Sequence, residues 1–290
     1  MASLKDIRQR IRAVKNIQKV TNAMKMVAAA RLRKSQQNME QARPYARRID
    51  EVLDHLLPVI DRSLNPLLEV REPEQTGFVI ITADRGLCGG FNSNIIRTAA
   101  ALIEEYGKDD AALICVGKKG HNHFSKRGYN VIGKYTDFWG ELNFSHAAGI
   151  VAQVTRLYLE DNLDKVILIY NEFKNVMRQE VITQQFLPLV LSEPAEAESR
   201  TEIGEFLFEP SEEKIVNTLV PRHLNVQVWQ ALLESNAAEQ AARMNAMSSA
   251  TENASDMIST LTLDYNKARQ AAITKELLEI VSGADAQLKA

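Results

Sequence analysis

The richest chemistry in this 290-residue chain lies in one short stretch, Asp84-Arg85-Gly86-Leu87-Cys88-Gly89-Gly90. It follows an apolar run and precedes a helix-like stretch, where backbone N–H groups at a helix start commonly bind phosphate. Its glycines are not spaced as GxGxxG, and no GK[ST] follows. The pattern therefore favours a tight strand-to-helix turn, in which glycine supplies unusual backbone angles, over a nucleotide site. Gly117-Lys118-Lys119-Gly120 reads the same way. Cys88 sits in the turn and Cys115 in an apolar run. Two such cysteines make no disulfide framework and suit structural thiols better than nucleophiles. The five histidines (His55, His121, His123, His146, His223) form no HExxH and no convincing metal spacing. No catalytic residue, cofactor or metal is expected.

Charge is unevenly spread. Residues 1–34 hold ten basic side chains and one acid, Asp6, for +9; a total of −2 leaves −11 for the rest. The partner of this segment is expected to be acidic. Nucleic acid is the weaker expectation, because the basic residues alternate with an apolar seam and no aromatic side chain is interleaved. The run Leu277, Leu278, Ile280, Val281 is apolar over too wide an arc for a free helix end, so it is expected to be capped by the N-terminal helix or, the favoured reading, enclosed by another protein. No apolar run reaches the roughly 18 to 20 residues needed to span a bilayer. The start Met-Ala-Ser-Leu-Lys-Asp is not expected to be a signal peptide.

The elements that must position these residues follow from where helix breakers fall. No glycine precedes Gly77 and no proline precedes Pro44; after Pro221 there is no proline, and beyond Gly204 the one glycine is Gly283. These ends predict two very long helices. The first covers 1–57, with Ser3 as N-cap, a kink at Pro44 and a stop at Pro58. Its seam begins Leu4, Ile7, Ile11, Val14 and then steps to Ile17, Val20 and Met24, which predicts an interrupted heptad. Residues 58–76, with three prolines, read as a linker. Within 77–191, the apolar runs Gly77–Ala83, Ala111–Gly117 and Lys165–Tyr170 suit buried strands. Between them, Asn92–Tyr106, Lys118–Lys126 and Ser145–Glu160 suit helices, and Val181–Leu189 an edge strand. Alternation of this kind predicts a mostly parallel, Rossmann-like α/β base domain. An acidic connection, 192–210, leads to a second long helix over 211–290, helical to about Val281. At about 1.5 Å per residue the helices measure roughly 80 and 100 Å. They have most simply each other to bury against, as an antiparallel two-helix coiled coil. Ala237, Ala238, Ala241, Ala242, Ala246, Ala250 and Ala254 would permit close approach.

Three segments together resemble one family, the gamma subunit of F-type ATP synthases. They are IRQRIRAVKNIQKVTNAMKMVAAARLRKSQ (Ile7–Gln36), TADRGLCGGFNSN (Thr82–Asn94), and EQAARMNAMSSATENA with YNKARQAAITKELLEIVSGA (Glu239–Ala254, Tyr265–Ala284). The likeness keeps the family's order over essentially the whole chain. It implies a non-catalytic central rotor, one copy per complex. The paired helices would sit inside a hexamer of alpha and beta subunits, with the base domain against the epsilon subunit and the c-ring. Proton-driven rotation of the ring would then drive the catalytic hexamer. The resemblance places Met24, Arg243, Arg269, Gln270 and Thr274 at contacts with the hexamer, with Leu277, Leu278, Ile280 and Val281 in its bearing. It matches Asp84, Arg85, Gly86, Cys88, Gly89 and Gly90 to the base-domain turn on the epsilon and c-ring side. It implies a peripheral protein on the cytoplasmic side of a bacterial inner membrane, touching the membrane only through the c-ring. Chloroplast relatives carry an inserted redox-switching cysteine pair; residues 192–210 are short and cysteine-free, so thiol regulation is not expected. Two rivals make other predictions: a phosphate-binding α/β enzyme with helical arms would bind ATP through Gly89, and a DNA-binding coiled coil would bind duplex in a salt-dependent way.

Overall fold

The computed structural model describes residues 4–56, 61–189 and 211–288. Its elements in chain order are α1 (Leu4–Leu56), β1 (Thr76–Ile81), α2 (Phe91–Tyr106), β2 (Ala111–Val116), α3 (Lys118–Ser125), β3 (Val131–Tyr135), α4 (Phe144–Leu159), β4 (Lys165–Phe173), β5 (Gln179–Leu187) and α5 (Glu212–Leu288). Ser3, Pro58 and the acidic segment 192–210 lie outside the described residues. The helices α1 and α5, of 53 and 77 residues, run through Pro44 and Pro221 without ending. At Pro221 the side chain of Asn225 donates to the proline carbonyl at 2.8 Å.

The described chain divides into two compact units, Met1–Ala28 with Met244–Ala290, and Ala29–Arg243. In the first, α1 and α5 pair antiparallel. The Arg8 guanidinium donates to the Tyr265 hydroxyl at 2.6 Å, and the Thr21 and Thr251 hydroxyls share a hydrogen bond of 2.8 Å. Advancing along α1 thus means receding along α5. The alanines that favour close approach are turned inward: Ala254 is buried, and Ala246 and Ala250 are half-buried.

The seam on α1 departs from the sequence expectation. Residues 7, 11, 14, 18, 21, 25, 28, 32, 35, 39, 42, 46, 49 and 53 are each buried or half-buried, so the four-three spacing continues without interruption. Ile17 and Val20, which hydrophobicity alone would put on the seam, are 56% and 58% exposed. Gln18 and the buried Thr21 occupy their places. Thr21 can do so because its hydroxyl is satisfied, donating to Gln18 O at 3.1 Å and sharing the bond with Thr251 across the pair, whereas an unpaired buried hydroxyl would be costly.

In the second unit the described strands form one sheet, ordered β3-β2-β1-β4-β5. The pairs β1–β2, β1–β4 and β2–β3 are parallel, and β5 is antiparallel to β4. Every residue of β1 and β2 is buried, as expected of central parallel strands covered on both faces. One core face brings Val79, Ile114 and Leu168 together with Ala46, Ile49 and Leu53 of α1 and Val220, Leu224 and Leu232 of α5. His223 Nδ1 lies 3.1 Å from the Asp50 carboxylate, close enough for an ion pair but not aligned as a hydrogen bond.

Three expectations need correction. Part of the stretch read as a linker, 58–76, is core: 3₁₀ turns cover Arg62–Leu64 and Pro66–Leu68, and Leu67 and Leu68 are buried. Buried Asn65 organises the second turn, accepting from Leu67 N at 2.9 Å and donating to Asn217 of α5 at 2.9 Å. The strand β3 went unanticipated, because VIGKY is half-buried and contains a glycine. That glycine has a reason: a Cβ at Gly133 would stand 3.0 Å from Ile114 and 3.1 Å from Gln153. The last helix also extends beyond Val281, to Leu288.

Candidate functional site

The C-terminal edge of β1 is where an open sheet of this order changes direction, the position at which α/β proteins usually hold ligands. Here the protein's own groups occupy it. The chain leaves β1 through Thr82, whose N–H donates to Val116 O at 2.7 Å and whose hydroxyl accepts from Gly120 N at 2.9 Å. Close approach needs Gly117: a Cβ there would meet the Thr82 carbonyl oxygen at 2.0 Å, and its φ of +94° is one that side chains resist.

Asp84 follows and gathers three segments. Its two carboxylate oxygens accept from Lys118 N, at the first turn of α3, at 2.9 Å and from Asp137 N, after β3, at 2.8 Å. A carboxylate at this helix start satisfies a free N–H and suits the dipole. It also places negative charge where a phosphate would have to sit. Asn92, in the first turn of α2, closes the loop from the other side. Its side chain accepts from Ala83 N at 2.9 Å and donates to Arg85 O and Cys88 Sγ, each at 3.2 Å.

The crest of the turn is Gly86-Leu87-Cys88. Leu87 has φ of +62°, uncommon for a branched side chain, and is 66% exposed. Cys88 is buried, and burial reinforced by the nearby Glu239 carboxylate pushes its thiol pKa up. A thiol held protonated and bonded to Asn92 is a packing group rather than a nucleophile. Cys115 in β2 is likewise pushed up, to about 12, by burial.

From α5, Arg243 reaches the same turn. It is only 9% exposed; one arm of its guanidinium donates to Gly86 O at 2.6 Å and the other to the Glu239 carboxylate. Burial raises the Glu239 pKa and the guanidinium opposes that rise. Arg243, which the resemblance matches to a hexamer contact, has these two partners inside the chain and joins Asp84, Gly86 and Cys88. Glu239 and Asn92 were not singled out from sequence, although the i, i+4 spacing of Glu239 and Arg243 was a signal for the first.

The other candidates lie in the paired-helix unit. Met24 is half-buried, while Arg269, Gln270 and Thr274 are exposed, the Thr274 hydroxyl donating to Gln270 O at 2.9 Å. Leu277, Leu278, Ile280 and Val281 are 57–67% exposed. Ile17, Val20, Met26 and Val27 of α1 and Met257, Leu263 and Ile273 of α5 add further exposed apolar side chains. So much uncovered apolar surface on a helix pair marks an interaction surface. Among the described residues, no helix is long and apolar enough to cross a membrane.

A Rossmann-like sheet whose ligand edge is filled by its own side chains, together with a pair of long terminal helices, defines the class: an α/β protein with long N- and C-terminal helices. Comparison with known proteins narrows this. A family profile described as ATP synthase matches residues 3–287. The chain is 52% identical to the ATP synthase gamma chain of Chlorobaculum parvum over 99% of both chains. With that of Chloroherpeton thalassium the identity is 49%, over 99% and 98%. Among solved structures it resembles a chain of the central stalk and c-ring of the Tetrahymena thermophila mitochondrial ATP synthase. The TM-score there is 0.63 at 30% identity, covering 80% of this chain and 99% of that one. A chain of the Euglena gracilis mitochondrial enzyme shares the fold, with a TM-score of 0.70 at 21% identity over 98% and 94%. This chain belongs to the ATP synthase gamma chain family.

Proposed function

We propose that this chain is the central, non-catalytic rotor subunit of an F-type ATP synthase, coupling proton-driven rotation of the c-ring to the catalytic cycle of the alpha and beta subunits. The observation that carries this reading is the apolar surface left uncovered on the helix pair of a chain so similar, end to end, to gamma chains. Apolar contact has no preferred direction, so a shaft can turn against it without breaking directional hydrogen bonds. Leu277, Leu278, Ile280 and Val281 form the part that turns in the hexamer's bearing. Met24, Arg269, Gln270 and Thr274 meet its subunits at defined angles, and Ile17 and Val20 widen that surface. Arg243 joins this set through the turn it holds. In the turn itself, Arg85 and Leu87 face outward and are the parts open to a partner such as the epsilon subunit or the c-ring. The basic N-terminal segment favours acidic surfaces on the hexamer, which would set preferred resting angles. The protein is peripheral to the membrane complex, on the cytoplasmic side of a bacterial inner membrane, and reaches the bilayer only through the c-ring.

Reconstitution with matching alpha and beta subunits tests this. The expected result is a complex with one copy of this chain, whose steady ATP hydrolysis depends on it. A chain that stays apart from the hexamer would overturn the proposal.

A further inference from the structure

Leu87 is held in its unusual conformation from both sides. The carbonyl before it, Gly86 O, accepts from Arg243, and the carbonyl after it, Cys88 O, accepts from Phe91 N at 3.2 Å. The second bond belongs to the turn and α2; of the two, the first ties the turn to α5. Uncommon backbone angles at a bulky residue persist where the surroundings over-determine them. The anchor is a buried ion pair, Arg243 with Glu239, one turn apart on α5. Such pairs give little net stability compared with apolar packing, but their geometry is strict. A guanidinium also has the right shape to hold both groups, since its planar fork serves a carboxylate and a carbonyl at once.

We propose that Arg243, braced by Glu239, is a positioning residue that clamps the Gly86–Cys88 turn to α5, so that load on the base sheet passes into the helix without slack. The mechanical part of this rests on the rotor function proposed above; the clamp itself does not. Arg243 therefore acts in coupling through Gly86, with no need to touch a partner subunit. Glu239 shares its role.

Cys88 supplies the test, because its thiol is buried within this turn. In the full chain, Arg243→Ala is expected to speed alkylation of Cys88 by N-ethylmaleimide about tenfold or more, the loss of one charged hydrogen bond to a locally opening segment. Arg243→Lys, which keeps the charge and can donate to Gly86 O, should recover most of the protection. Cys115, buried in β2, reports global loosening in the same sample. If Arg243→Ala exposes both thiols, Glu239→Gln decides: faster reaction of Cys88 alone supports the clamp, and equal exposure of both overturns it. Unchanged Cys88 reactivity in Arg243→Ala also overturns it. In the assembled enzyme, Arg243→Ala should continue to hydrolyse ATP but lose proton pumping per ATP, with recovery in Arg243→Lys. An open turn with undiminished pumping would overturn the mechanical role. Failure of the unaltered chain to support hydrolysis would overturn the rotor reading and that role with it, while the alkylation rates still judge the clamp.

Discussion

Replacing Asp84 by Asn should destabilise the sheet unit well beyond the effect of a surface substitution. The two oxygens of Asp84 accept from Lys118 N and Asp137 N at 2.9 and 2.8 Å. An amide offers one oxygen, so its NH2 must face the second N–H, donor against donor. One hydrogen bond to a charged group is worth about 1.5–3 kcal/mol. Asp84 is only half-buried, which argues for the lower part of that range, about 2 kcal/mol after solvent screening. For a unit of roughly 200 residues that corresponds to a fall in Tm of about 4–8 °C. Asp84→Ala, which leaves both N–H groups without the carboxylate, should fall further. The Lys118–Asp137 ion pair beside it, at 2.5 Å, is exposed on both sides and cannot compensate. Thermal unfolding followed by circular dichroism provides the measure. An Asn variant melting within about 1 °C of the parent would refute the claim that this carboxylate joins β1, α3 and the segment after β3.

Gly117→Ala should prevent stable folding, since the new methyl would stand 2.0 Å from the Thr82 carbonyl oxygen; a soluble protein with parental Tm would contradict that contact. Glu234 is buried, its Oε2 has no hydrogen-bond partner among the described residues, and burial raises its pKa despite the nearby Arg43 and Lys174. The folded state then keeps a proton that the unfolded state releases, so this group lowers stability as pH rises above 4.5. Glu234→Gln should accordingly melt higher than the parent at pH 8, with the difference vanishing towards pH 4; a constant difference would refute the assignment. Met24→Lys puts a charge at the half-buried shaft surface and should uncouple hydrolysis from proton transport in membrane vesicles, whereas unchanged pumping per ATP would count against that contact. Removing residues 277–290 should leave the Tm of the isolated chain unchanged, because Leu277 through Val281 are exposed, while weakening the bearing and leaving partial rotation. Total loss of assembly would move the grip to that end.

The sequence carried those features that repeat or break a pattern. Breaker-free ends announced α1 and α5, and the continuous apolar runs announced β1, β2 and β4, because a strand buried on both faces cannot afford polar residues. It was less informative where hydrogen bonding overrides hydropathy. Thr21 takes the seam in place of Val20 with its hydroxyl bonded both to Gln18 O and to Thr251, the latter 230 residues away. Leu67 and Leu68 look like linker among prolines until Asn65 folds them onto the sheet. The site showed the same division. The glycines and Asp84 marked a turn, but nothing local told that Arg243 points at Gly86, 157 residues away, rather than outward.

The separation between Thr21 and Thr251 also orders the events of biosynthesis. At about 5–20 residues per second, the ribosome delivers Thr251 on the order of ten to fifty seconds after Thr21. The strands of the sheet, all between residues 76 and 187, emerge within that interval and can pair with one another. Throughout it, Ile7 and Ala28 of α1, both buried in the finished protein, have no helix to lie against. Pairing of the first segment made with the last thus cannot begin until α5 emerges, and a nascent chain interrupted before α5 displays an open apolar seam to chaperones and proteases.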